Sequence, residues 1–170
     1  MRILLSGGCQ SGKGEQARRL IDKLAGSCNC CCLAIKEPNN DFHMVHWEGW
    51  TCEAVTSCKQ LSHCFSQIHP NSAVLIDNIT SLFSNEMFCQ NDGDPNAAWR
   101  TAEELRCLGE RCAHIVYLTD EVFCDAGRYD SKTEGFRKGL AQVNRILAEQ
   151  CDTVIEMYYG FPLVYKGHQP

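Results

Sequence analysis

The stretch Gly7-Gly8-Cys9-Gln10-Ser11-Gly12-Lys13-Gly14 constrains this chain more than any other. It matches G-x-x-x-x-G-K, with a short apolar run at residues 3–6 ahead of it and helical spacing behind it at Ala17, Leu20, Ile21 and Leu24. Between a strand and a helix, two such glycines let successive backbone N–H groups turn inward around phosphate oxygens. The helix N-terminus adds positive potential, and Lys13 reaches the outer phosphates as a point charge. The plain alternative is a glycine-rich turn with a surface lysine. One position breaks the pattern: Gly14 stands where a Ser or Thr hydroxyl would contact Mg²⁺. The loop therefore predicts phosphate binding more directly than turnover.

Strand-like and helix-like segments alternate along the rest of the chain. Residues 30–35, 73–77 and 114–118 read as buried strands. Residues 13–25, 52–68, 80–88, 96–112 and 131–149 read as helices, the second of them capped by Thr51. Residues 154–158 and 163–166, around Gly160-Phe161-Pro162, outline a terminal hairpin. With 170 residues and no internal linker, this predicts a single α/β domain over residues 1–170. It should be P-loop NTPase-like, with a mostly parallel central sheet, helices on both faces and an antiparallel C-terminal edge.

Sixteen basic against 21 acidic residues give a net charge of −5, which argues against a nucleic-acid partner held by bulk charge. No stretch is long and apolar enough to suggest a membrane partner. The run at residues 3–6 is too short for a signal peptide, so the expectation is a cytoplasmic protein whose 13 cysteines stay reduced. Cys30, Cys31 and Cys32 would alternate between the faces of a strand and so cannot ligate one ion together; packing as small hydrophobes is the better reading. Cys9, inside the loop, is a candidate reactive thiol.

Asp77 ends a predicted central strand, where it either organises Mg²⁺ or caps the next helix. Four segments then bring a family into view. Ser6-Gly7-Gly8-Cys9-Gln10-Ser11-Gly12-Lys13 is similar to T-G-G-x-R-S-G-K-S, and Asp77-Asn78-Ile79-Thr80-Ser81-Leu82-Phe83-Ser84-Asn85 resembles D-C-L-T-x-W-L-x-N. Thr119-Asp120-Glu121-Val122 resembles T-N-E-V-G, and Phe136-Arg137 through Val143-Asn144 and Ile146-Leu147-Ala148 follows an F-R-D…N-Q-x-L-A ending. These patterns resemble the bifunctional adenosylcobinamide kinase/adenosylcobinamide-phosphate guanylyltransferases of cobalamin biosynthesis.

The resemblance implies phosphorylation of a corrinoid substrate, cobinamide, with GTP or ATP and Mg²⁺. Transfer of GMP from GTP through a histidine follows. In Met44-Val45-His46-Trp47-Glu48-Gly49-Trp50-Thr51-Cys52-Glu53 it assigns that nucleophile to His46 rather than His43, and it makes Glu53 and Glu121 candidate nucleotide-site residues. A neutral imidazole is a competent nucleophile toward phosphorus. Read alone, the two histidines are a loop pair or a metal pair, and Glu121 is equally a helix-start cap. Trp47 and Trp50 either stack on a base or corrin edge or anchor the core. The resemblance also implies a homo-oligomer, a trimer, with the histidine segment near a neighbour. Its G-x-G-x-x-P element is lost, with Phe123, Asp125 and Arg128 in those places; either the corrinoid site is reshaped or one activity has gone.

Overall fold

The computed structural model describes residues 1–36, 48–88, 94–124 and 127–170. His43, His46, Trp47 and Asp125 lie outside the described residues. The described chain runs β1 (Arg2–Gly7), α1 (Lys13–Ala25), β2 (Asn29–Ile35), β3 (Trp50–Val55), α2 (Cys58–Gln67), β4 (Ser72–Asp77), α3 (Ile79–Phe88), α4 (Ala97–Gly109), β5 (His114–Leu118), α5 (Ser131–Gln150), β6 (Thr153–Tyr158) and β7 (Phe161–Lys166). One seven-stranded sheet has the order β3-β2-β4-β5-β1-β6-β7. Every neighbouring pair is parallel except β6 and β7, which form the antiparallel edge. The sequence expectation of a mostly parallel α/β sheet with an antiparallel C-terminal edge holds.

The two-residue period of the strands divides the core into two layers. Leu4, Leu33, Val74, Ile76, Ile115 and Tyr117 face one side and pack against α2, α3, α4 and α5. Ile3, Leu5, Leu75, Val116 and Leu118 face the other and pack, among the described helices, against α1 alone, through Ala17, Leu20 and Ile21. The cysteine run divides in the same way. Cys31 joins the four-helix layer and Cys32 the α1 layer, and burial pushes the Cys31 thiol up to about 12. None of the described cysteines forms a disulfide, and no group of three or more metal-ligating side chains occurs among the described residues. No helix among them is long and apolar enough to cross a membrane.

The expected helix over 52–68 is corrected. Its first part is strand β3, which pairs with β2 in register from Cys30↔Trp50 to Ile35↔Val55. Helical spacing at Val55, Cys58, Leu61 and Phe65 masks a segment whose aromatic, Thr and Val residues suit a sheet edge. Backbone pairing to the open side of β2 decides between them. Thr51 is therefore a strand residue, and the helix cap is Ser57, whose Oγ accepts from the Gln60 N–H at 3.3 Å.

α5 presses closely on the rest of the four-helix layer. Its Gly139 lies directly under the Phe83 ring, so a methyl group there would strike the ring's Cζ, whereas a methyl at Gly135 would only touch the flexible end of Met87 at 3.4 Å. Gly139→Ala should destabilise the protein by about 1–3 kcal/mol through overpacking. Gly135→Ala should stabilise it by about 0.5–1 kcal/mol through helix propensity. Denaturant midpoints of the two variants check this, and a stabilised Gly139→Ala would contradict the packing.

Candidate functional site

The carboxyl ends of β1, β4 and β5 stand in one row, with Leu5 and Asp77 both opposite Leu118. Just beyond that row the chain makes its glycine-rich loop. Gly12 adopts φ +84° as the residue before α1, a conformation that favours glycine. At Gly7 a Cβ would meet Ser11 Oγ at 2.5 Å and Met157 Cβ at 3.1 Å, so the loop closes only over a bare Cα. Space is open at Gly8 and at Gly14. Cys9 is exposed at the rim beside Gln10. Ser11 Oγ is buried without a hydrogen-bond partner among the described residues, a polar atom within the loop that they leave unsatisfied.

Lys13 opens α1 and folds back over this loop. Its Nζ donates to the Gly8 carbonyl at 3.0 Å and pairs with Asp120 Oδ1 at 2.9 Å. Asn78 Nδ2 donates to the other carboxylate oxygen of Asp120 at 2.9 Å, and the Asp120 N–H donates to Thr80 Oγ1 at 2.9 Å. Thr119 Oγ1 lies 3.4 Å from Thr80 Oγ1 and donates to Asn144 Oδ1 at 3.1 Å. Segments far apart in sequence, at 77–80, 119–121 and 144, therefore meet around Lys13.

Asp77 is set into the same corner. Burial, then the neighbouring Asp120 charge, raise its carboxyl above the ordinary carboxylate range, against the smaller opposing pull of Lys13. It does not cap the following helix: Asn78 does, its Oδ1 accepting from the Ser81 N–H at 2.8 Å. Asp77 and Asp120 supply hard oxygen donors of the kind a small divalent cation takes. The loop amides and Lys13 suit an anion, so the residues present fit a phosphate ester carried with its cation.

The remaining candidates are distributed otherwise. Glu121 follows the row directly: its N–H donates to the Gly7 carbonyl at 3.1 Å and its Oε1 accepts from the Phe123 N–H at 2.6 Å. It closes a local turn, since no helix begins there. Glu53 is in edge strand β3, four strands from β1, which at ~4.8 Å per strand places it about 19 Å from the loop's strand. Its carboxylate bonds the Cys64 thiol, whose pKa burial and that bond push up to about 11. Trp50 packs against the α1 layer from the same strand. The lost glycine at Phe123 is filled: the Phe123 carbonyl accepts from Arg137 Nη2 at 3.4 Å, and the Arg137 guanidinium lies 5.1 Å from the Tyr129 ring centre. A cavity of about 520 Å³ opens alongside, between Glu121, Tyr129, Phe136 and Arg137.

Sequence reasoning did not assign Asp120, Asn78, Thr80 or Asn144 a role. Asp120 had a signal to offer, because it follows the predicted strand at residues 114–118, and ligands gather at the carboxyl ends of parallel strands.

The fold and this corner define an α/β protein with its polar site at the carboxyl ends of a parallel sheet, beside a glycine-rich loop. The profile of the cobinamide kinase / cobinamide phosphate guanyltransferase family matches residues 3–165, and the chain belongs to that family. It is 26% identical over 183 residues to the bifunctional adenosylcobalamin biosynthesis protein CobU of Escherichia coli (strain K12), across 98% of this chain and 100% of that protein. A solved protein of Pyrococcus horikoshii OT3 shares the fold at a TM-score of 0.55 and 10% identity, over 98% of this chain and 86% of the other.

The environment of Asp77 gives a pH dependence with a definite sign. An acid whose folded pKa is raised costs stability once it ionises. That penalty is absent below the unfolded value of ~3.9, grows through the window up to the raised folded value, and is complete above it. Asp77→Asn should therefore raise Tm by a few degrees at pH 7, with the gain disappearing as pH falls toward that of the unfolded carboxyl. Thermal melts across that range test it; an equal or lower Tm at pH 7 would show that the Lys13 attraction outweighs burial.

Proposed function

We propose that this chain is an adenosylcobinamide kinase and adenosylcobinamide-phosphate guanylyltransferase, in which both reactions use one nucleotide seat at the loop from Gly7 to Gly14. What supports the reading above all is the meeting of Lys13 and the glycine-rich loop with Asp77 at the carboxyl end of the sheet, in a chain that belongs to the family. The loop amides of Gly8, Cys9, Gln10, Ser11 and Gly12 hold phosphate oxygens, and Ser11 Oγ gains the partner it lacks in the protein alone. Lys13 takes the outer phosphates. Asp77 holds Mg²⁺, which supplies charge neutralisation on the triphosphate of GTP or ATP. The open space at Gly8 lets a phosphate approach the backbone closely.

In the first reaction the corrinoid's aminopropanol arm enters the cavity beside Glu121 and Phe136. Its hydroxyl oxygen bonds to the γ-phosphorus as the bond to the nucleoside diphosphate breaks, and the hydroxyl proton is lost to solvent. In the second, an imidazole nitrogen of His46 forms a P–N bond at the α-phosphorus of GTP as pyrophosphate leaves. The corrinoid phosphate then attacks that phosphorus, and the P–N bond breaks to release His46. Glu53 and Glu121 complete the nucleotide site, Glu53 with the histidine segment near a neighbouring copy. We propose a homotrimer in the cytoplasm, with no nucleic-acid or membrane partner.

GTP labelled at the α- or the γ-phosphate separates the two half-reactions. The expected results are an acid-labile α-label on the protein that His46→Ala removes, and transfer of γ-label to cobinamide. Binding of GTP with neither transfer would refute the enzymatic reading.

Gly14 favours a second reading, a nucleotide-binding protein that has lost turnover, because the hydroxyl that would contact the metal is missing. No atom of the described residues lies within 4 Å of a Cβ at that position, so Gly14→Ser should fold normally. In α1 it should gain a few tenths of a kcal/mol, up to about 0.5, in helix stability. If the missing hydroxyl limits the site, Gly14→Ser should tighten Mg²⁺–GTP binding severalfold, as read by calorimetry; unchanged affinity would mean that Gly14 is no handicap.

A further inference from the structure

Lys13 must meet a phosphate if the nucleotide reading is right, yet its ammonium is already engaged. The Asp120 carboxylate holds it at 2.9 Å, with Lys13 side-chain exposure of 14% and Asp120 exposure of 28%. Asp120 is itself secured on two further sides, by the Asn78 amide on Oδ2 and by the Thr80 hydroxyl on its backbone N–H, each at 2.9 Å. The Thr80 bond fixes the backbone and the Asn78 bond holds the carboxylate, so both oppose its swinging aside when a ligand arrives. Asp77 stands beside it, close enough that the Asp120 charge helps to raise the Asp77 carboxyl. An incoming triphosphate therefore meets two carboxylates against one lysine, and like charges brought together in a partly buried site oppose binding. A divalent cation bound with the phosphates reverses this balance, because the same carboxylates then face positive charge.

We propose that Asp120 is a positioning residue that makes nucleotide binding by this chain conditional on a divalent cation, by competing with phosphate for Lys13 when the cation is absent. The proposal rests on the nucleotide reading above and adds to it the residue that governs access to the seat. Asp120→Asn is the informative change. It removes the charge, keeps one oxygen that accepts from either Lys13 or Asn78 but not from both, and leaves the Thr80 contact to the backbone untouched.

The test titrates the full chain with a fluorescent N-methylanthraniloyl-GTP at fixed ionic strength, once with Mg²⁺ and once with EDTA. Wild type, Asp120→Asn, Asp120→Ser and Lys13→Ala are compared, with a cooperative thermal melt confirming that each is folded. Both Asp120 variants should bind the metal-free nucleotide about three- to tenfold tighter than wild type. The ratio of metal-free to Mg²⁺-bound Kd should shrink accordingly. A purely structural role for Asp120 would weaken binding in both conditions, and unchanged or weaker metal-free affinity in the two variants overturns the proposal. If wild type and Lys13→Ala bind alike with Mg²⁺ present, or neither binds, the nucleotide reading fails and the proposal falls with it.

Discussion

The parallel pairing of β1, β4 and β5 is the constraint on which the candidate site depends. Parallel register fixes where each strand stops relative to its neighbours, and here Leu5 and Asp77 both stand opposite Leu118. The three segments that follow must therefore emerge together at one edge of the sheet. One becomes the glycine-rich loop, one the start of α3, and one the irregular run beginning at Thr119. The backbone extends the row a step further, since Thr119 N–H donates to the Leu5 carbonyl and Glu121 N–H to that of Gly7. Lys13, Asn78 and Asp120 can meet because the sheet leaves their backbones no other place to go.

That geometry gathers opposite charges as well as ligand-ready amides. Lys13 opens α1 and Asn78 caps α3, so two helix starts point into the corner, and their unsatisfied N–H groups favour negative charge there. Two carboxylates occupy the place instead. Asp120 is satisfied by Lys13, Asn78 and Thr80, while Asp77 is buried and ionises reluctantly. The corner is thus stable without a ligand but not at its electrostatic optimum. A strongly perturbed buried acid of this kind is what functional sites concentrate.

The parts of this structure legible in the sequence are those where local pattern and long-range packing agree. The continuous apolar runs of β4 and β5 could only be buried strands, and the loop before Lys13 carried its strand and helix with it. β3 was read wrongly because Val55, Cys58, Leu61 and Phe65 keep a helical spacing across a real boundary. What decided the matter was the free side of β2, which no local window contains. Side-chain partnerships were out of reach for the same reason. Asp77 could be placed at a strand end, but its neighbour across one strand, Asp120, emerges only when the register is known. The histidine segment was assigned through family resemblance alone, and Glu53 shows the limit of that route: within one chain the sheet holds it four strands from the loop.

The cysteines follow from the same two-layered sheet. A strand buried on both faces needs side chains that fill narrow space without polar demands, and a thiol is among the smallest that do so. Cys31 and Cys32 take opposite layers, and Cys58 and Cys151 line the four-helix side. Burial raises the thiols of Cys31, Cys58 and Cys151 to about 12, which suppresses the thiolate that disulfide exchange or metal binding would require. Cys9 is in a different position, exposed on the glycine-rich loop rather than inside a layer. Abundance and exposure are thus separated among the described residues: burial keeps the core thiols protonated, while Cys9 on the glycine-rich loop and Cys124 close to Glu121 are the exposed thiols.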